Sequence, residues 1–188
     1  MEFTTSTGPI QDSRSGCLIV GIYDGKKLTP AAQQINDAGD GIIKAALKGG
    51  DLSGAVGQTL MLTAPQGLAC DRLLLVGCGK EKELKDRSYR QIVQAAARAV
   101  LATRAKDALC ALAELPVPER ELDWKVRQFI EAAGHAAYRF DQLKSDKKDD
   151  DKPALRKVSF PYSSRGEGAL IKLGIVQGRA INDGIDLT

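Results

Sequence analysis

A single histidine, His135, stands in the whole chain, so no His-based catalytic pair or metal cluster can be assembled from it. Cysteines are few and scattered: Cys17, Cys70, Cys78 and Cys110, none of them in a CxxC pair. That spacing argues against both a zinc site and a disulfide framework. Cys17, Cys78 and Cys110 lie in or beside apolar runs, where a free thiol packs as a small hydrophobe. Long apolar runs are also missing, none approaching the roughly 20 residues of a membrane span. Met1-Glu2-Phe3-Thr4-Thr5 lacks the basic-then-apolar start of a secretory signal. A cytoplasmic protein with no membrane partner is expected. No GxSxG occurs, and carboxylate pairs such as Asp37/Asp40 and Glu119/Glu121 sit in polar stretches, without the apolar surroundings that acid/base work needs. No active site and no bound cofactor are expected within these residues.

What is present is the patterning of an α/β protein. The 188 residues carry a net charge of only +3, which permits an acidic partner without demanding one. Gly16–Tyr23 is a continuous apolar run with β-branched residues, as in a strand covered on both faces. Phe3–Thr7, Thr59–Thr63, Arg72–Val76 and Ala108–Ala113 read as further strands. Thr29 and Pro30 form a helix start, with Thr29 as N-cap, and the helix runs to about Leu47, broken near Gly39–Gly41. Asp86–Thr103 is an amphipathic helix. Another spans about Glu119–Phe140, where Leu122, Val126, Phe129, Ile130, Ala133, Ala137 and Phe140 recur at helical spacing. The alternation implies layers: a mixed or parallel sheet flanked by helices.

Composition then shifts. Lys144–Lys152 is wholly polar and lacks the Asx-Gly spacing of a calcium loop, so it reads as a solvated, mobile linker. Leu155–Tyr162 forms one more short strand. Gly166–Leu187 reads as a helix carrying Leu170, Leu173, Ile181 and Ile185, with no capping signal at its end. The expected organisation is an α/β domain over 1–143, a charged linker with a short strand over 144–163, and the start of a linking helix over 164–188. That helix is expected to fray or to bury its apolar stripe against another molecule.

Two features carry candidate chemistry. Leu73-Leu74-Leu75-Val76-Gly77-Cys78-Gly79-Lys80 runs from a strand into a glycine turn, and Gly77 and Gly79 are the candidate phosphate turn. It lacks the third glycine of a dinucleotide fingerprint and the GK[ST] of a P-loop, so glycines that simply allow a tight strand exit are the favoured reading. Beyond it, Arg87, Arg90, Arg98 and Arg104 fall opposite the apolar side of a helix, with Lys80 and Lys82 nearby. Across Lys85–Lys106 six basic residues meet one acidic residue, Asp86. Such a face can neutralise nucleic-acid phosphates, and it is also what a solvated helix face looks like.

The order of segments resembles the N-terminal domain of the bacterial leucyl aminopeptidase family. The resemblance lies in Met1-Glu2-Phe3, Leu28-Thr29-Pro30-Ala31-Ala32, Asp40-Gly41 and the strand-turn Leu73–Lys80. It continues in Trp124-Lys125-Val126-Arg127-Gln128, Phe140-Asp141-Gln142-Leu143-Lys144 and the closing run Gly178–Leu187. The resemblance implies a macrodomain-like fold plus a linking helix that leads into a separate C-terminal catalytic domain. That catalytic domain, not this chain, is implied to hold two divalent metal ions (manganese or zinc) and to remove N-terminal residues from peptides. It also implies a homo-hexamer and, in some members, DNA as a partner in recombination and transcriptional control. The fold further raises ADP-ribose-type ligands.

Overall fold

The two most apolar runs become the centre of the sheet: β2 (Leu18–Tyr23) and β5 (Arg72–Gly79). They pair in parallel from Leu18 against Leu73 to Ile22 against Gly77, and the register shifts after Ile22. Around them lie β1 (Glu2–Ser6), the two-residue β3 (Lys27–Leu28), β4 (Thr59–Thr63), β6 (Asp107–Cys110) and β7 (Lys157–Pro161). In the computed structural model, which describes residues 1–142 and 154–185, the order is β1-β7-β6-β2-β5-β4, with β3 attached to β2. β4 runs antiparallel to β5 and β3 antiparallel to β2; the other pairings are parallel.

Period-two alternation feeds two cores, one on each face. Ile19, Leu74, Val76, Cys110, Val158 and Phe160 point to the face covered by α3 (Asp86–Leu101), α4 (Leu122–Gln142) and α5 (Arg165–Ile185). Leu18, Val20, Ile22, Leu73, Leu75 and Leu109 point to the other, covered by α1 (Pro30–Ala38) and α2 (Ile42–Lys48). Thr29 caps α1 as expected, its Oγ1 accepting the Ala32 N–H at 3.3 Å. α1 and α2 part at Gly41, whose φ of 80° glycine adopts without strain. All four cysteines are buried free thiols, and burial raises those of Cys17, Cys78 and Cys110 to about 12.

Three expectations need correction. First, the sheet does not close within 1–143, because β7 pairs with β1 on one side and β6 on the other. Its Phe160 packs edge-on to Phe129 of α4 at 5.7 Å and against Phe3 at 6.5 Å. β7 is an interior strand, so the segment after the charged stretch belongs to the same core. Second, α5 packs within the chain through a face other than the expected one. Ile171 and Ile175 are buried, while Leu173 and Ile181 are exposed. Gly174 and Gly178 allow the close approach: a Cβ at Gly174 would lie 2.4 Å from the Asp123 carbonyl oxygen, and one at Gly178 would lie 2.8 Å from Ile130. Asn182 Nδ2 donates to the Ile130 carbonyl at 3.0 Å. Third, the stretch Ala108–Ala113 pairs only as far as Cys110, after which Leu112–Glu114 makes a single 3₁₀ turn. The linker expected over Lys144–Lys152 and the side chain of Phe140 lie outside the described residues.

Candidate functional site

The basic face read along α3 comes apart in three dimensions. Arg87 and Arg98 are exposed on its outer side, with Gln91 and Gln94 between them. Arg90 is turned toward α4: its Nε donates to Gln128 Oε1 at 2.8 Å and its guanidinium lies 5.8 Å from the Trp124 ring centre. Arg120 covers the same ring at 4.9 Å and grips the Asp86 carboxylate with Nε and Nη2, at 3.0 and 2.6 Å. That grip holds the Asp86 carboxyl below its ordinary range. Arg104 lies past the end of α3, in the connection to β6. Lys80 and Lys82 alternate with Glu81 and Glu83 on the turn after β5. Lys80 pairs with Glu83 at 3.2 Å, and Glu81 pairs with Lys27. Only Arg87 and Arg98 thus remain together on one open helix face.

The amides of Gly77 and Gly79 are taken up within the chain. The Gly77 N–H donates to the Gln58 carbonyl and the Gly79 N–H to the Gly54 carbonyl, each at 2.8 Å. A Cβ at Gly77 would meet the Ala55 carbonyl oxygen. These glycines let the 54–58 segment lie directly over the strand end, so Gly77 and Gly79 are packing residues and their amides have internal acceptors.

A cleft opens elsewhere, beyond the carboxyl ends of β1, β6 and β7. The cleft, of about 500 Å³, is bounded there by Ile10 and Gln11 after β1, Ala31 and Gln34 on α1, Glu114 after β6 and Glu167 on α5. Ile10, Ala31, Ala111, Ala113 and Leu122 make its apolar surface, and none of its described lining residues is basic. Gln11 Oε1 is buried there without a hydrogen-bond partner among the described residues.

Of the helices that begin at this cleft, α1 and α5 start under a carboxylate of the chain itself, while α4 contributes its first residue, Leu122, to the lining. Glu114 reaches α1 from across the sheet, and its Oε1 and Oε2 accept the Ala31 N–H at 3.1 and 3.0 Å. Burial raises its carboxyl above the ordinary range, with the Thr29 hydroxyl and the Ala31 N–H pulling the other way. At α5, Glu167 Oε2 accepts the N–H groups of Ser163 and Ser164 at 2.8 and 3.1 Å, while the Glu167 N–H donates to Ser164 Oγ at 3.2 Å. This is a reciprocal capping box, and it holds the Glu167 carboxyl below the usual range. Ser164-Arg165-Gly166-Glu167 carries that signature in sequence, whereas Glu114 carries none until the strand order is known.

Chemically, the cleft offers apolar surface, amides, carboxylates and the hydroxyls of Tyr162 and Ser163, the latter donating its Oγ–H to Glu167 Oε2 at 2.8 Å. His135, the only imidazole, is exposed on α4, away from it. Among the described residues, no group of three or more His, Cys, Asp or Glu comes together to hold a metal ion. No described helix is long and apolar enough to cross a membrane.

Comparison with known proteins gives these arrangements a context. Residues 19–147 match the model of the cytosol aminopeptidase family, N-terminal domain. Among solved structures, the chain is similar to a mutant of tomato leucine aminopeptidase, with 21% identity and a TM-score of 0.75. That match covers 100% of this chain and 37% of the tomato chain, so the chain spans little more than a third of that enzyme. It is also similar to the macrodomain of Mycobacterium tuberculosis DarG, at 15% identity and TM-score 0.60, covering 86% of this chain and 98% of that one. A Trypanosoma brucei macrodomain in complex with ADP matches at 10% identity and TM-score 0.63, over 93% of this chain and 69% of that one. At these identities the likeness is one of fold, and the fold is macrodomain-like.

Proposed function

The chain belongs to the cytosol aminopeptidase family, as its N-terminal domain, and on that premise we propose that it is the non-catalytic, architectural part of a leucyl aminopeptidase. In this reading a further domain removes N-terminal residues from peptides with two divalent ions, manganese or zinc. The donors described here do not fit such ions: the four thiols are buried and the one histidine stands alone. No step of that reaction is therefore assigned to these residues.

The observation that carries the architectural role is the outer face of α5. Ala169, Leu173, Val176 and Ala180 are all exposed there, Val176 by 66% and Leu173 by 46%. Water-facing helices seldom present a continuous apolar stripe, and a stripe of this kind marks a docking surface. Its proposed occupant is the remainder of the same polypeptide, within a cytoplasmic homo-hexamer. The test has two arms. The 188-residue chain should release no leucine from leucine amides with added manganese or zinc, and turnover that co-purifies with it would sink the reading. In the longer enzyme, L173E combined with V176E should lower assembly or thermal stability, and wild-type assembly in that variant would count against this face.

A second reading, a DNA-contact module, is favoured by one observation: Arg87 and Arg98 share the open side of α3. Sequence-tolerant, salt-sensitive affinity would follow from phosphate neutralisation. It would be lost on R87E/R98E with peptidase activity intact; unchanged DNA binding in that variant would reject it.

A further inference from the structure

Open α/β sheets hold ligands in the crevice outside the carboxyl ends of their strands, and a helix N-terminus opening there attracts phosphate through its free N–H groups and its dipole. Here the crevice exists, with an apolar floor and a volume of about 500 Å³. The helix N-terminus also exists, since α1 begins at Pro30 and is nine residues long. What sets this chain apart is the occupant of that N-terminus. Thr29 already caps α1 locally, on the Ala32 N–H. The Ala31 N–H is nevertheless held by a second acceptor, both oxygens of Glu114, a residue 83 positions away in sequence. A local cap needs no such reach. Glu114 is a tertiary anion seated on a helix end, in the geometry of a ligand.

We infer that the cleft is an anion site filled from within: the Glu114 carboxylate occupies the place on α1 that a ligand's phosphate would take, so the chain refuses nucleoside diphosphates and Glu114 decides that specificity. Three observations support this. The carboxylate is largely buried and its nearest basic neighbour, Lys125, directs its Nζ to the Leu115 carbonyl at 3.0 Å. The Thr29 hydroxyl and the Ala31 N–H, both at the start of α1, are therefore the groups that hold it most directly. No described lining residue is basic, so a phosphate arriving beside Glu114 would meet like charge with nothing to balance it. A second helix end at the cleft, that of α5, also lies under a carboxylate, there the local capping box of Glu167 with the Ser163 and Ser164 N–H groups. A fold neighbour has been crystallised with ADP, so the fold itself admits such a ligand. The inference goes beyond the aminopeptidase reading and does not depend on it.

The experiment is a gain of binding. Inorganic pyrophosphate and ADP are titrated into the 188-residue chain, its E114A variant and its E114Q variant. Calorimetry reads affinity, and amide chemical shifts read the Ala31 and Ala32 N–H groups. The wild-type chain should show no saturable binding at millimolar ligand and no shift at Ala31. E114A should bind both ligands at least about tenfold more tightly than wild type, with the Ala31 amide moving. Saturable ADP binding by wild type through the Ala31 amide would overturn the inference, as would a folded E114A that binds no better than wild type. If E114A fails to melt cooperatively, E114Q decides. Its amide keeps an acceptor on Ala31 but carries no charge, so affinity should rise above wild type by less than in a vacated site. A folded E114Q without any rise overturns the inference equally.

Discussion

α3 and α5 lie in the same layer over the same core, and each presents an outer stripe with successive residues four, three and four positions apart. On α3 the stripe is Arg87, Gln91, Gln94 and Arg98; on α5 it is Ala169, Leu173, Val176 and Ala180. The inner faces differ as well. α3 buries Tyr89, Ile92, Val93, Ala96, Ala97 and Val100, a conventional apolar side. α5 buries Ile171, Gly174, Ile175 and Gly178, so two glycines bring it close to α4 while Leu173 and Val176 stay outside. α3 is finished for water. α5 is covered by α4 on one side and leaves Leu173 and Val176 exposed on the other.

The comparison can be broken hardest at the core that both helices share. Phe160 → Ala, removing the ring between Phe129 and Phe3, should cost about 3–5 kcal/mol in denaturant unfolding. A loss below about 1 kcal/mol would mean that β7 and α5 are docked only loosely on the rest of the sheet. Next in size is the α4–α5 seam. Gly174 → Leu drives a side chain into the Asp123 carbonyl and should cost roughly 1–3 kcal/mol, whereas Ala95 → Leu on the half-exposed flank of α3 should cost far less. Equal losses would erase the claimed difference between the inner faces.

A pH series sharpens the comparison at the cleft. Burial raises the folded-state carboxyl of Glu114 above its unfolded value, so the folded chain binds this proton more tightly. Its contribution is then most favourable at low pH and is lost as pH rises through the raised value. Glu167 has the opposite sign: its lowered carboxyl adds stability above the unfolded value of 4.5, lost as pH falls through the folded one. The stability of wild type relative to E114Q should therefore decline from about pH 4.5 upward, and that relative to E167Q should climb from lower pH. Parallel curves for the two variants would contradict these assignments. The smallest effects belong to the outer stripes themselves. R87E/R98E and L173E/V176E should each leave the stability of the 188-residue chain within about 0.5 kcal/mol. Only in the longer enzyme should the second pair matter. A large loss for L173E/V176E in the short chain would mean that this stripe is packed internally.

Much of this was written locally. The runs at Gly16–Tyr23 and Arg72–Val76 announced buried strands, because a strand covered on both faces needs apolar side chains in both directions. Thr29-Pro30 announced the start of α1, since capping depends on residues within one turn. The scarcity of histidine and the apolar setting of the cysteines pointed away from metal and thiol chemistry, and composition needs no coordinates to say so. The interior place of β7 was not local: a polar stretch separates it from the rest, and strand order is set by which edges meet, not by sequence distance. The availability of charge was not local either. Arg90 and Arg104 have the same side chain as Arg87, yet one leans on Trp124 and the other leaves the helix. Gly77 and Gly79 could be read as a phosphate turn or as a tight strand exit, and only the fold shows the 54–58 segment lying over them. Glu114 carries no signature in the sequence. Its meaning comes from Ala31, 83 positions away, because a buried carboxylate is defined by the donors that surround it, and only the folded chain brings those donors near.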